Sequence, residues 1–140
     1  MPKIYKYQKV TDQYTTYCLV EPDYNQLEVE EWITELCTID GLTYVSVPDG
    51  VELPEQPEII AATLVEVDLA EEPETKAAIN AASPHIALIN DRVVAKIRLV
   101  YDINEEIKML RVGGADFETY NTYVEECRAW GKAEKAKLGL

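Results

Sequence analysis

The sequence predicts an α+β protein: a small antiparallel sheet with one helix in the N-terminal half, followed by a helical C-terminal half. Three observations predict it. Apolar positions alternate with period two in short stretches before residue 70, then recur at three- and four-residue steps from Pro73 onward. Turn-forming clusters, among them Asp40-Gly41 and Pro48-Asp49-Gly50, cut the first half into pieces of strand length. Charge divides at the same place. None of the 66 residues between Lys9 and Lys76 is basic and 17 are acidic, whereas residues 76–140 carry 10 bases and 9 acids. The expected organisation is an acidic strand-strand-helix-strand unit over 1–50, a Pro-rich connector plus strand over 51–72, and a helical segment of three to four helices over 73–140.

Residues 3–10 and 14–20 alternate as two strands, with Tyr5, Tyr7, Thr15, Thr16 and Val20 suited to a pleated surface and Thr11-Asp12-Gln13 as the turn. Pro22-Asp23 breaks that pattern. Leu27, Val29, Trp32, Ile33, Leu36 and Cys37 then fall along one side of a helix, which leaves Glu28, Glu30, Glu31 and Glu35 on the other, solvated side. After Asp40-Gly41, Leu42–Val47 alternates as a third strand. Pro54 and Pro57, spaced by acids, favour an extended connector, and residues 63–69 alternate once more.

In the second half, Ile79, Ala82, Ile86, Ile89, Val93, Ile97 and Val100 keep helical spacing across Ser83-Pro84, where Ser83 suits an N-cap and Pro84 the first helical position. This stretch reads as two helices or one kinked helix. Asp102, three residues before Glu105, forms a capping-box pattern and introduces Ile103, Ile107 and Leu110. Gly113-Gly114 stops that helix. Asp116 is placed to cap the last one, whose apolar side is Phe117, Tyr120, Tyr123, Val124, Cys127 and Trp130 and whose final turns carry Lys132, Lys135 and Lys137 toward the negative end of the dipole. Trp32 and Trp130, each on an apolar helical face, are expected to be mostly buried, within the domain or against a partner.

Marks of catalysis are sparse. Cys18, Cys37 and Cys127 lie in apolar patterns without Cys-x-x-Cys spacing, and an odd number cannot all pair, so they read as buried thiols of a reducing compartment. A single histidine, His85, supports neither a histidine-based zinc site nor a serine triad. No glycine-rich nucleotide fingerprint occurs, and no apolar run approaches the ~20 residues of a membrane span. A formal net charge of −13 argues against nucleic acid as a partner, because affinity for phosphate backbones comes from Lys and Arg displacing counterions. The expectation is a non-enzymatic protein without cofactor or metal. Its acidic half either keeps the chain in solution or meets a basic protein surface.

The order of segments carries a resemblance. Gly41-Leu42-Thr43-Tyr44-Val45-Ser46-Val47-Pro48 before the connector, Asn104-Glu105-Glu106-Ile107-Lys108-Met109-Leu110-Arg111, and the ending Tyr120-Asn121-Thr122-Tyr123-Val124-Glu125-Glu126-Cys127-Arg128-Ala129-Trp130-Gly131 resemble small proteins encoded in the tail modules of tailed bacteriophages. The likeness covers mainly residues 40–60 and 85–140 and is to the tail-fibre-assembly and tail-accessory type. It implies a protein acting through contacts with other phage tail or tail-fibre proteins, as a virion component or a fibre-assembly chaperone. It also implies a location in the host cytoplasm during assembly, with the virion tail as a second one. Homo-oligomers are compatible with it, and it implies no catalytic residue. The expected partner-binding residues are Glu28, Glu31 and Glu35 on the acidic helix face and Tyr120, Tyr123 and Trp130 on the last helix. The alternative is an acidic decoy or inhibitor that uses residues 10–75 to occupy a basic host protein surface.

Overall fold

The computed structural model describes residues 2–21 and 31–140. Two compact units make up the chain, Met1–Ile86 with Ala136–Leu140, and Ala87–Lys135. This division differs from the expected one at 50 and 72. Residues 51–72 belong to the first unit because Ile60, Val67 and Leu69 are all buried there.

The first unit is built on an antiparallel sheet of β1 (Lys3–Tyr7), β4 (Thr34–Ile39), β5 (Leu42–Val47) and β6 (Val65–Val67), in the order β4-β5-β1-β6. β4 and β5 form the hairpin that Asp40-Gly41 announces. Ile39 pairs with Leu42 across a two-residue loop whose residues both have positive φ, 52° and 79°, the geometry that Asp-Gly favours because it matches strand twist. The Thr38 and Thr43 hydroxyls lie 2.9 Å apart across this hairpin. β5 also pairs with β1, Lys3 against Val47 through Tyr7 against Thr43, and β1 pairs with β6, Ile4 against Val67. Thr43 to Val47 are buried without alternation, as an interior strand covered on both faces requires.

Two expectations for the first half are corrected. The first hairpin shrinks to β2 (Val10–Thr11) and β3 (Thr16–Tyr17), whose turn is held by the Asp12 carboxylate accepting from the Tyr14 and Thr15 amides at 2.9 and 2.8 Å. β1 takes its partners from β5 and β6 instead. The expected helix does not extend to residues 34–37, which are strand; Leu27, Glu28, Val29 and Glu30 lie outside the described residues. A β-bulge explains the misreading. Glu35 pairs with Val45 and Cys37 with Tyr44, so Leu36 is an extra residue, and Ile33, Leu36 and Cys37 acquire three- and one-residue steps that imitate a helix face. Trp32 is correspondingly more than half exposed.

Tyr7, Val45 and Ile60 form the centre of this unit, with Tyr5, Leu19, Val20, Ile33 and Leu64 packed around them. The Leu19 amide donates to the Tyr7 hydroxyl at 2.9 Å, and burial pushes that phenol up to about 12. Ile60 sits on the short α1 (Glu58–Ala61), which the connector pattern did not foretell. α2 (Pro73–Ala82) opens on a proline, buries Ile79 and packs on β4. Leu138 is buried, and Gly139, with φ of 80°, approaches Ile4 so closely that a Cβ there would stand 3.0 Å from its Cδ1.

α3 (Pro84–Val100) starts afresh after α2, because Ser83, preceding proline, is held extended at φ −72°, ψ 124°. The two-helix reading is therefore the one realised. The second unit comprises the remainder of α3 with α4 (Ile103–Val112) and α5 (Ala115–Lys137). Asp102 and Glu105 form the complete capping box, and Gly113, at φ 68°, ends α4. Asp116 falls in the first turn of α5, two residues inside the capping position, which Gly114 occupies. α3 and α5 meet closely at Gly131, where a Cβ would stand 2.6 Å from Val93 Cγ2. All strands lie before residue 68 and, α1 apart, all helices among the described residues lie after 72.

Candidate interaction surface

The residues expected to bind a partner are divided between the units, with Glu31 and Glu35 in the first and Tyr120, Tyr123 and Trp130 in the second. Glu31 is exposed in a turn, and Glu28 lies outside the described residues. Glu35 is the clear correction: it is 3% exposed, on β4, with its Oε1 2.5 Å from Lys9 Nζ. That contact is an ion pair without an aligned hydrogen bond to Oε1. A carboxylate so placed is held by its cation and is not available to an incoming surface.

Tyr120, Tyr123 and Trp130 all lie on α5, the two tyrosines against Tyr101 and Trp130 against Lys96. Tyr120 is buried, its ring edge-on to Tyr101 at 5.0 Å, and its hydroxyl donates to Glu106 of α4. Arg98 of α3 pairs with the other oxygen of the same carboxylate. The Tyr120 hydrogen bond first, and then Arg98, hold the Glu106 carboxyl below its usual range, whereas burial and Glu106 push the Tyr120 phenol up to about 12. Tyr123 donates to the Lys96 carbonyl at 2.6 Å, and the Lys96 ammonium stands 4.6 Å from the centre of the half-buried Trp130 ring. These groups join three helices of one unit. The Tyr120 and Tyr123 hydroxyls and the Glu106 carboxylate are engaged within it.

α4 offers the opposite arrangement. Its well-made cap and glycine stop define a ten-residue helix, yet none of its residues is buried. Glu106 and Met109 lie on its half-buried side, while Ile103, Ile107 and Leu110, at successive steps of four and three, form a stripe that is 60%, 50% and 63% exposed. Leu99 and Val100, just before it in the chain, are exposed too. The spacing of these three residues was visible in the sequence as an apolar helix side. Their exposure was not, because nothing local tells an apolar face that finds a neighbour from one that does not.

The chemistry elsewhere is quiet. Burial first, then the Glu35 carboxylate, push the Cys37 thiol up to about 11, so it stays protonated and is a poor nucleophile. All three cysteines are free thiols. Among the described residues no three His, Cys, Asp or Glu side chains are grouped to hold a metal ion, and no helix is long and apolar enough to cross a membrane. No protein-family model matches this chain, and no match is found among curated proteins or solved structures.

Proposed function

We propose that this chain works by protein contact, as a tail or tail-fibre-associated component, or fibre-assembly chaperone, of a tailed bacteriophage. The observation that carries the contact reading is the α4 stripe. A capped amphipathic helix whose Ile103, Ile107 and Leu110 face water retains apolar surface that a protein without a partner gains nothing by exposing. The phage setting rests on the resemblance in segment order over residues 40–60 and 85–140. Protein composition of purified particles tests it. A virion component is present in fixed copy number, and a chaperone is absent from particles but needed for their tails to assemble. Particles that form normally and infect without the chain would contradict both forms.

The decoy reading draws support from one other feature. Glu52, Glu55, Glu58, Glu66, Asp68, Glu71, Glu72 and Glu74 are all exposed, and the described ion pairs give this group only Lys3, 3.9 Å from Glu66. A contact made there is expected to weaken with salt, since exposed charges are screened beyond about 8–10 Å.

A further inference from the structure

The α4 stripe has a charge pattern of its own, and that pattern selects an occupant. Arg98, Lys108 and Arg111 balance Asp102, Glu105 and Glu106, so residues 98–112 are neutral in a chain of net charge −13. Within α4 the acids occupy the first half and the bases the second. A basic protein would find no excess of acid here, and an anionic lipid surface no excess of base. A helix laid antiparallel with the same sequence fits on both counts. Its acidic first turn lies over the basic last turn of the other, and the two helix dipoles oppose.

The apolar spacing agrees. Steps of four and three place Ile107 next to the centre of the stripe, with Ile103 and Leu110 at nearly equal distances on either side. Under a twofold axis perpendicular to the helix, Ile103 meets the copy's Leu110 and Ile107 meets its own copy, as a self-complementary patch requires. Parallel pairing would set acid on acid and base on base. We propose that two copies of this chain associate through α4, antiparallel about a twofold near Ile107. The inference rests on the contact reading above and names the partner as a second copy.

Sedimentation velocity of the full chain across roughly 1 µM to 1 mM, where small transient interfaces dissociate, tests it. The mass is expected to rise with concentration from 15.8 kDa toward twice that value. Ile107→Glu is expected to weaken self-association at least tenfold with unchanged far-ultraviolet circular dichroism. Orientation is tested by mild oxidation of Ile103→Cys and Leu110→Cys variants. An equal mixture is expected to cross-link. Ile103→Cys alone is not, because in the antiparallel pair its two copies stand roughly 10 Å apart along the axis, beyond disulfide reach. The parent, with its three free thiols, is the control. A chain monomeric at every concentration, self-association untouched by Ile107→Glu, or ready cross-linking of Ile103→Cys alone would each overturn the proposal. If the parent is monomeric yet Ile107→Glu abolishes tail assembly, the partner is a different protein and the contact reading stands. If Ile107→Glu alters neither, both fall.

Discussion

The sheet unit and the helical unit use their apolar residues differently. In the first, Tyr7, Leu36, Val45 and Ile60 are at most 1% exposed, and its exposed aromatic and aliphatic side chains, Tyr14, Trp32, Ile59 and Val65 among them, are scattered along the sequence. Scattering of that kind is ordinary for a protein surface. In the second, Ile103, Ile107 and Leu110 share one exposed face of one helix, with Val94, Leu99, Val100 and Val112 exposed elsewhere on α3 and α4, while the buried residues Ile89, Tyr120, Val124 and Cys127 belong to α3 and α5. The sheet unit's apolar residues mainly stabilise itself. α4 is tied to its neighbours by the Glu106 carboxylate, which lies between Tyr120 and Arg98, and its apolar side is exposed.

That contrast can be broken by substitution. The largest effect is expected from Leu36→Ala, which empties a fully buried site at the bulge and should cost about 2–5 kcal/mol by chemical denaturation. A smaller cost would mean that β4 relaxes around the missing side chain. Next comes Gly131→Ala. Alanine favours a helix over glycine by about 1 kcal/mol, but its Cβ would collide with Val93, and the net is expected to be a loss of about 1–2 kcal/mol. A stabilised variant would show that α3 and α5 can part without penalty.

An acid titration sharpens the role of Glu106. Its pKa is lowered in the folded chain, so its contribution is complete above the usual carboxylate value of 4.5 and is lost as pH falls through the lower folded value. Glu106→Gln is expected to flatten the fall of stability below pH 4.5, read from thermal midpoints. An unchanged acid profile would remove this carboxylate from what holds α4. The smallest effect on stability is expected from Ile107→Ala, within about 0.5 kcal/mol of the parent, as for a surface position. A loss as large as that of Leu36→Ala would place Ile107 in a core.

Local signals were legible in the sequence wherever one residue's backbone preference decides the structure. Asp40-Gly41 specifies its hairpin, Asp102 with Glu105 the start of α4, and Pro84 the break between α2 and α3. Features that depend on remote partners were not legible. β1 joins β5 and β6, with Tyr7 opposite Thr43 and Ile4 opposite Val67, while the nearby stretch expected to pair with it forms only the small β2–β3 hairpin. Glu35 is buried because Lys9 arrives beside it, and no spacing within 28–37 encodes that. The bulge at Leu36 misleads for a related reason, since one inserted residue turns a strand's alternation into apparent helical steps. For the candidate surface, the stripe itself was readable, and its exposure was not.

Amide hydrogen exchange of the full chain at low and high protein concentration tests the central claim most directly, that the apolar side of α4 is a contact surface between copies. β5, paired on both edges, is expected to exchange slowly and equally at both concentrations. Residues 103–112 are expected to exchange much faster than β5 when dilute and to slow severalfold when concentrated, with no comparable change in β5. Exchange in α4 that is as slow as in β5 when dilute, or that stays the same at both concentrations, would contradict the account.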